Sequence, residues 1–518
     1  MTKFPPSIFN DVIGPVMRGP SSSHCAAAVR IGRIIHDLMD GIIEKVIIEF
    51  DPHGSLATTH ESQGSDMGLF AGLLGWDTTD ERLINSRHFL ESAGVTIEIK
   101  LAKLEYTHPN TYKITTSNKG ELHTIIAISS GGGSIEIVEL DEIAISIHGD
   151  YYETIILSDH KTNFDFNAHI SDSIINIYSK GKLFIAQIKT QRPLTVTELS
   201  LIESKNPNCI VKLINPVMPI LSGKKIVVPF LTYDELTLFN KDKNLQLWEL
   251  ALEYESARGS LPKNEVFVKM REIVEIIQNS IMKGLKGTSF EDRILGNQSS
   301  LFKSAMSEKR LLDGGLLNTI ILYVSALMEM KSSMGVIVAA PTAGSCAGLP
   351  GAIIGAADFM NLDKDEITKA MLAAGLIGVF IAHKSTFAAE ECGCQAECGA
   401  GSGMAAAGLV TLSKGTLKEA INAATMALQN ILGMICDPVA NRVEVPCLGK
   451  NVMEASNALS CANMALAGYD PVIPLDEVIE TMDKVGRSLP RELRCTALGG
   501  LSITKSSKVI ENRLRGKK

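Results

Sequence analysis

The sequence predicts a multidomain protein with an N-terminal α/β (α+β) region followed by an all-α region. Short β-branched runs recur before residue 215, whereas later segments carry apolar residues at helical spacing. Of 518 residues, 45% are hydrophobic and 21% charged, so the chain can bury more than one core. Its 43 glycines stand beside only 5% aromatic residues, which favours helices that pack closely through small side chains.

Strands are predicted from six β-branched runs, with helical patches at 24–39 and 65–75 among them. The six runs cover residues 41–50, 95–101, 123–129, 135–147, 153–157 and 182–188. The glycine-rich turn SSGGGS at 129–134 is interpreted as a joint between two β-rich units. We therefore expect an α/β domain over residues 1–150 and a smaller α+β module over residues 151–222.

Residues 223–518 are predicted to form an all-α domain, because their helical segments are apolar on most faces. The proline-containing segment 213–230 is the expected linker. Residues 332–357 carry no charge over a length that could span a bilayer, but they include two prolines and five glycines. A buried strand–turn–helix or helix–turn–helix is therefore predicted there.

The charge pattern excludes some classes of partner. The chain has 50 Lys and Arg against 58 Asp and Glu, a net charge of −8, and no long basic block. This argues against nucleic acid or an anionic membrane as the main partner. The N-terminus lacks the apolar stretch of a secretory signal. We expect a cytoplasmic protein that binds neither nucleic acid nor membrane.

Cysteine is the most informative residue type. Eight of the ten cysteines follow residue 345, and such clustering indicates metal or catalytic chemistry rather than a disulfide scaffold. Cys394 precedes a small-residue helix, while Cys436 and Cys447 bracket the string CDPVANRVEVPC. Loops of this kind between buried helices can direct thiolates into an interior cavity.

Three interpretations of these thiols are open on spacing alone. Thiolates hold iron–sulfur clusters, and three ligands on a four-iron cluster leave one iron open to substrate. A structural zinc site prefers four ligands, often from two CxxC pairs, and the sequence has no such pair. The cysteines could equally be small buried apolar residues.

The string GPSSSH at 19–24 is a candidate for contact with a small anion. It places Ser21, Ser22 and Ser23 at a helix N-terminus, where hydroxyl and backbone donors suit a carboxylate. One of these serines could instead be an ordinary helix cap, and His24 could be a packed histidine.

Six motifs stand out in order along the chain. They are SIFNDVIGPVMRGPSSSHCAAAVRIGR (7–33), AAPTAGSCAGLPGAI (339–353), GCQAECGAGSGMAAAGL (393–409), CDPVANRVEVPC (436–447), KNVMEASNA (450–458) and LRCTALGGL (493–501). Together they resemble the iron–sulfur L-serine dehydratases, or L-serine ammonia-lyases. The order resembles a single-chain form in which a β-chain-like half is fused ahead of an α-chain-like half.

The resemblance implies a metal site and a set of substrate contacts. Cys394, Cys436 and Cys447 are the implied ligands of a [4Fe–4S] cluster, and Cys392 or Cys398 could add a fourth. The implied substrate-binding residues are Ser21, Ser22, Ser23, Pro341, Thr342, Ala343 and Gly344. His24 and Lys384 are the catalytic candidates. We expect the two halves of the chain to share one active site.

The implied reaction is β-elimination of L-serine to pyruvate and ammonia, with an open iron as Lewis acid for the departing hydroxyl. No pyridoxal phosphate is expected, because the aminoacrylate product tautomerises and hydrolyses unaided. The resemblance further implies an oxygen-sensitive homodimer that acts in amino-acid degradation and gluconeogenesis. Two alternatives stay open: a hydro-lyase for another hydroxy amino acid such as L-threonine, and a cluster-bearing amino-acid sensor.

Several positions depart from the family pattern. His383 and Lys384 replace part of an Asn-rich string, and Gln63 replaces a histidine. Asn441 stands where glycine is usual, and Cys495 where an acidic residue is usual. A gained cation and a lost acid could change the choice of substrate. The region 134–215 resembles a shortened ACT module, with a regulatory or a purely structural role.

Overall fold

A computed structural model describes residues 4–19, 21, 24–61, 63–106, 108–160, 170–223 and 226–516. The chain divides into two compact units. Residues 21–226 form what we term the N-terminal unit, and residues 227–516 form the helical unit together with residues 4–19. The first unit mixes sheets with helices and the second is almost entirely helical, so the predicted fold class is confirmed. The predicted domain boundaries at 150 and 222 remain predictions.

The strands lie mostly in the N-terminal unit. They are β1 Val16–Arg18, β2 Lys45–Phe50, β3 Thr96–Leu101, β4 Thr111–Ser117, β5 Leu122–Gly131, β6 Ser134–Leu140, β7 Ile143–Ile147, β8 Tyr152–Ser158, β9 Ile174–Lys180, β10 Leu183–Thr190, β11 Ile210–Ile214 and β12 Val336–Val338.

The helices continue from the N-terminal unit through the rest of the chain. They are α1 Cys25–Leu38, α2 Leu56–Thr59, α3 Ser65–Leu73, α4 Ser86–Ser92, α5 Val196–Lys205, α6 Tyr233–Asn240, α7 Leu247–Gly259, α8 Lys263–Leu285, α9 Gln298–Ser307, α10 Leu316–Ser332, α11 Gly348–Phe359, α12 Lys364–Lys384, α13 Ala389–Cys392, α14 Ala400–Leu412, α15 Leu417–Gln429, α16 Cys447–Leu466, α17 Leu475–Ser488 and α18 Lys505–Arg515. Two π-helical turns, Ile8–Val12 and Gln395–Gly399, add to them.

Two sheets build the N-terminal unit. One has the strand order β3-β2-β4-β5-β6-β7, with only β2 and β3 parallel, and the other is antiparallel with the order β11-β8-β10-β9. The turn at 129–134 joins β5 to β6 as neighbours in one sheet. Its interpretation as a joint between two units is therefore wrong, since a glycine-rich turn marks a hairpin equally well. Strand β4 escaped prediction because its sequence, TYKITTS, contains only two apolar residues, Tyr112 and Ile114.

Helices α1 and α3 pack against each other at backbone distance on one core of the N-terminal unit. A Cβ atom at Gly32 would lie 2.5 Å from the carbonyl oxygen of Leu69, and one at Gly68 would lie 2.5 Å from that of Cys25. No side chain fits in these gaps, so glycine is required on both helices. The predicted contact through small residues is confirmed at this helix pair.

The helical unit is built around α14, which packs against α11, α12, α15 and α16. Every residue of α14 except Thr411 is buried. Helix α12 is long and apolar enough to cross a membrane by length and composition, yet 78% of its most apolar window is buried inside the protein. Residues 332–357 form β12, a turn and α11, as the strand–turn–helix prediction expected.

The first residues of the chain complete the helical unit, which the sequence pattern did not indicate. Strand β1 pairs antiparallel with β12. The Ser7 hydroxyl donates to Glu255 Oε1 at 2.5 Å, and the Ile8 N–H donates to Glu255 Oε2 at 2.8 Å. A Cβ atom at Gly375 of α12 would lie 2.6 Å from the Ile8 side chain, so this glycine makes room for the N-terminal turn.

Candidate active site

Two connections between buried helices carry the cysteines that the sequence predicts as ligands. Cys394 follows α13 and leads into the π-helical turn before α14, Cys436 lies in the loop after α15, and Cys447 is the first residue of α16. Their residues are only 2%, 3% and 5% exposed. Loops that end against small-residue helices thus hold all three thiols inside the helical unit.

Two of these thiols meet a carboxylate that sequence reasoning missed. The Sγ atoms of Cys394 and Cys436 and a carboxylate oxygen of Glu397 all lie within 4.8 Å of one another. The turn that follows Cys394 brings Glu397 back beside it, with the Glu397 N–H donating to the Cys394 carbonyl at 3.1 Å. The sequence does place Glu397 three residues after Cys394. That spacing indicates a shared site only if residues 395–399 are known to form a turn.

Glu397 links the thiols to the predicted substrate turn. Thr342 Oγ1 donates to Glu397 Oε1 at 2.6 Å, and burial raises the pKa of Glu397 to about 7. A Cβ atom at Gly344 would lie 2.8 Å from the same oxygen, so only glycine lets the turn approach this carboxyl group. The turn with Pro341, Thr342, Ala343 and Gly344 is therefore part of the same site as the cysteines.

A lysine with a side chain 15% exposed supplies positive charge at this site. Lys450 Nζ lies 3.8 Å from Cys394 Sγ and donates to Asp437 Oδ1 at 3.0 Å and to the Ile435 carbonyl at 2.7 Å. Burial by itself lowers the pKa of Lys450, but Cys394 and Asp437 outweigh burial and raise it. A charged ammonium therefore lies next to the Cys394 sulfur. Lys450 follows Cys447 by three positions on α16 and was not predicted.

Cys447 belongs to the site but not to the tight group of Cys394, Glu397 and Cys436. Burial raises the pKa of the Cys447 thiol, and the charge of Cys394 adds to that rise. The thiol of Cys436 is hydrogen-bonded to those of Cys394 and Cys495, which together with burial raises its pKa. These thiols therefore hold their protons until a metal displaces them.

Asn451 fixes the start of α16 against the substrate turn. Its Oδ1 accepts from the N–H groups of Ala347 and Gly348 at 3.1 Å, and its Nδ2 donates to the carbonyls of Gly344 and Cys447 at 2.8 and 2.9 Å. All four bonding positions of this amide are used and the residue is fully buried. Asn451 thus sets the position of Cys447 relative to the turn.

The cysteines that flank Cys394 point elsewhere. Cys392 Sγ faces the Asp483 carboxylate on α17 at 3.9 Å. Cys398 Sγ lies 3.9 Å from Asn451 Nδ2, and its thiol bonds to Glu454. Neither thiol belongs to the tight group with Cys436. The cysteine that does contact Cys436 is Cys495.

The predicted serine string lies in the N-terminal unit, where the structure describes Ser21 and His24 but not Ser22 or Ser23. Thr59 Oγ1 donates to a backbone carbonyl at 2.6 Å, so His24 Nε2–H must donate to Thr59, at 2.9 Å. His24 Nδ1 then accepts from the Ser21 hydroxyl at 2.8 Å. Burial lowers the pKa of His24 to about 4, so the ring is neutral at pH 7.

Lys384 is held in an ion pair at the end of α12. Its Nζ lies 2.8 Å from Glu480 Oε1 and 3.6 Å from Asp476 Oδ1, both on α17. Burial lowers the pKa of Lys384 by itself, but the two carboxylates reverse this effect and raise it. A lysine held in its charged form by two partners is a poor proton acceptor, so this geometry does not favour Lys384 as the base.

Asn441, which stands where the family resemblance implies glycine, has a backbone conformation that explains the residue type. Ala440 and Asn441 both have left-handed backbone conformations, with φ of 52° and 55°. Glycine adopts this conformation at no steric cost, and asparagine tolerates it better than most residues. Asn441 therefore keeps the loop shape where the family pattern has glycine.

The chain combines a helical core of small residues with a buried polar site rich in thiols. Residues 242–502 match the family described as serine dehydratase alpha chain. The chain belongs to that family, as the motif resemblance predicted.

Relatives match both halves of the chain. The probable L-serine dehydratase alpha chain of Bacillus subtilis (strain 168) is 33% identical over 55% of this chain and 96% of its own length. The probable beta chain of the same organism is 42% identical over 36% of this chain and 80% of its length. The L-serine dehydratase of Helicobacter pylori (strain ATCC 700392 / 26695) is 28% identical over 94% of this chain and 96% of its own. The single-chain arrangement predicted from the motif order is therefore confirmed.

Proposed function

We propose that this protein is an L-serine ammonia-lyase that converts L-serine to pyruvate and ammonia by β-elimination. The observation that carries the proposal is the convergence of Cys394, Cys436 and Glu397 with the Thr342 turn inside the family's helical domain. The name L-serine dehydratase, borne by a relative that aligns with 94% of the chain, supports the choice of substrate. A cytoplasmic location and a homodimeric state remain parts of this proposal.

The cofactor in this proposal is a [4Fe–4S] cluster held by Cys394, Cys436 and Cys447. The donor set fits such a group, because three buried thiols from two inter-helix connections lie in one polar site, with the Lys450 ammonium beside Cys394. When bound, the cluster would supply a Lewis-acidic iron for the departing hydroxyl. We expect no role for pyridoxal phosphate.

The chain's own residues would hold the cofactor's ligands and the substrate. The Lys450 ammonium lies beside Cys394, and Asn451 holds Cys447 and the turn 341–344 in register. Backbone N–H groups of that turn and the hydroxyls of Ser21, Ser22 and Ser23 are the proposed partners of the substrate carboxylate.

His24 is the proposed proton-transferring group. Its neutral ring presents the Nδ1 lone pair toward the Ser21 hydroxyl, so a rotation of that hydroxyl would free Nδ1 to accept a proton. The Nε2–H bond to Thr59 fixes the tautomer and the ring orientation. A role for Lys384 in the same step is the alternative, and variants of the two residues separate them.

Anaerobic assays of pyruvate and ammonia release test the proposal. Equal amounts of pyruvate and ammonia from L-serine, with little turnover of L-threonine, are expected. Preferred turnover of L-threonine to 2-oxobutyrate would assign the chain to the alternative hydro-lyase. Binding of amino acids without any turnover by iron-loaded protein would favour the sensor. Air exposure should reduce activity, and ferrous iron with a reductant should restore it.

A further inference from the structure

The group formed by Cys394, Glu397 and Cys436 has the spacing of ligands to one metal ion. The three ligand atoms lie within 4.8 Å of one another. Ligands of tetrahedral zinc lie about 2.0–2.3 Å from the ion, so two of them are about 3.3–3.8 Å apart. The group therefore reaches the ligand shell of a single ion with small side-chain movements.

A third thiol reaches the group from another loop. The Cys495 N–H donates to the Cys436 carbonyl at 2.9 Å, and the Cys436 N–H donates to the Leu493 carbonyl at 2.8 Å. These two bonds hold residues 493–495 alongside Cys436, and Cys495 packs against that cysteine. The Cys495 thiol lies outside the mutual 4.8 Å limit, so it would have to move toward the group to complete a four-ligand set.

The other nearby thiols are not placed to bind the same ion. Cys392 is directed to Asp483, and Cys398 to Asn451 and Glu454. Cys447 is not part of the tight group. The set for one ion thus differs from the proposed cluster ligands in one cysteine: Cys495 takes part and Cys447 does not.

The charge of the surroundings suits such an ion. Three thiolates and one carboxylate around Zn²⁺ carry a net charge of −2, and the Lys450 ammonium lies 3.8 Å from Cys394 Sγ. Each thiol releases one proton to solvent as its sulfur binds the metal. Soft thiolate ligands in a tetrahedral arrangement select zinc among the common divalent ions.

We propose that the cluster-free protein binds one Zn²⁺ ion through Cys394, Glu397, Cys436 and Cys495, and that this ion competes with cluster assembly. This inference goes beyond the proposed dehydratase activity and does not depend on it. It also differs from a zinc-finger site, because its ligands come from two loops and a turn brought together by the fold rather than from CxxC pairs.

Metal titration of the full-length chain tests the proposal. Protein purified without oxygen and stripped with a chelator is titrated with Co²⁺, whose absorption reports tetrahedral geometry and thiolate ligation, and Zn²⁺ is then added to displace it. The variants are C436S, C495S and C447S, with C209S as a control in the N-terminal unit. Circular dichroism of each metal-free variant establishes that it is folded.

The expected result is one tetrahedral, thiolate-bound ion per chain. C436S should weaken Zn²⁺ binding by more than about 100-fold, beyond the 10–100-fold typical of residues that only support ligands. C495S should lower the thiolate-to-cobalt absorption and weaken binding, whereas C447S and C209S should bind as the parent chain does. Zn²⁺ should also slow the incorporation of iron and sulfide into the parent chain more than into C495S.

Two results would overturn the proposal. One is an octahedral Co²⁺ spectrum without thiolate absorption. The other is unchanged binding in C495S together with weakened binding in C447S, which would mean that a single ion uses the proposed cluster ligands. Neither result bears on serine turnover, which is measured separately on iron-loaded protein, so the dehydratase proposal and the zinc proposal fail independently.

Discussion

Lys212 in the N-terminal unit is buried and Lys450 in the helical unit is partly buried, with a side chain 15% exposed, and the two are neutralised differently. Lys212, with a side chain 1% exposed, donates to Asp40 and Glu121, whose side chains are 61% and 22% exposed. Lys450 is paired with Asp437, which is 6% exposed, and faces the thiol of Cys394. The first cation ties a strand to carboxylates that keep contact with water. The partners of Lys450, Asp437 and Cys394, are almost completely buried.

Both units contain a buried glutamate with one oxygen that has no hydrogen-bond partner among the described residues, Glu153 Oε1 in the N-terminal unit and Glu454 Oε1 in the helical unit. Glu454 in the helical unit is fully buried beside Cys398, its Oε2 accepts from Ser345 at 2.6 Å, and its Oε1 has no hydrogen-bond partner among the described residues. Burial raises its pKa strongly. Uncompensated polar groups of this kind are costly in a folded protein and concentrate where function requires them. Glu153 Oε1 lies 3.7 Å from the Lys189 ammonium, whereas Glu454 is bonded to Ser345 and Cys398 and has no ion pair among the described residues.

The largest expected effect is loss of the proposed cofactor from the helical unit. Cys394→Ser, Cys436→Ser and Cys447→Ser should each abolish serine turnover and strongly reduce bound iron, because each removes one thiolate ligand. Iron analysis and anaerobic visible spectroscopy measure the loss. Cys209→Ser in the N-terminal unit is the matched control and should change neither quantity. Full iron occupancy in Cys436→Ser would remove this ligand from the set.

Next in size is the effect of the polar cluster in the N-terminal unit. His24→Ala should lower kcat by roughly 10²-fold or more while iron content stays normal, as expected for loss of a proton-transferring group. Ser21→Ala should chiefly raise KM, because it removes a proposed carboxylate contact. Steady-state kinetics on iron-loaded protein distinguish the two. An unchanged kcat in His24→Ala would exclude this residue as the base.

Lys450 and Lys212 should differ in their contribution to stability. Lys450→Met leaves Asp437 buried without its charge partner, which typically costs about 3–5 kcal/mol. Lys212→Met should cost less, since Asp40 can be solvated where it stands. Calorimetry of the metal-free chains should record the larger drop in melting temperature for Lys450→Met. Equal drops in melting temperature would show that Lys450 and Lys212 contribute equally to stability.

One buried glutamate in each unit should make stability depend on pH in the same direction. Burial raises the pKa of both Glu153 and Glu255 from 4.5 to about 7. Between these values the folded chain keeps a proton that the unfolded chain has lost, so stability falls as pH rises from about 4.5 to about 7 and then levels off. Each group accounts for up to about 3 kcal/mol of that fall.

Replacement by glutamine tests this dependence in each unit separately. Glu255→Gln and Glu153→Gln should each flatten the change of melting temperature between pH 4.5 and pH 7. The slope, rather than the absolute stability, is the quantity to compare, since an amide also alters the hydrogen bonds. A slope that steepens after either change would contradict the assignment.

The smallest expected effect is that of Lys384→Met. Its ion pair with Glu480 and Asp476 is partly exposed and should be worth about 1 kcal/mol or less. Iron content and kcat should stay close to those of the parent chain. A fall in kcat comparable to that of His24→Ala, with iron unchanged, would instead make Lys384 the proton-transferring residue.

Residue patterns within single segments predicted many of the strands and helices. The recurrent β-branched runs indicated strands because alternate side chains in a sheet must be apolar to face a core. The small-residue segments indicated closely packed helices, and α14 is buried along almost its whole length. Strands β4, β9 and β11 were missed, since their apolar runs are short and are interrupted by polar or charged residues. The attachment of residues 4–19 to the helical unit had no local signal either.

By itself, the sequence determined the fold class, the family and the loops that carry the candidate ligands, because these depend on the residue pattern within single segments. The tertiary structure alone decided which groups surround those thiols. Thr342 and Glu397 are 55 positions apart, Lys450 and Cys394 are 56 apart, and Ser7 and Glu255 are 248 apart. Such pairs meet only when helices with small residues pack at short distances, and no local periodicity records which side chains then face each other.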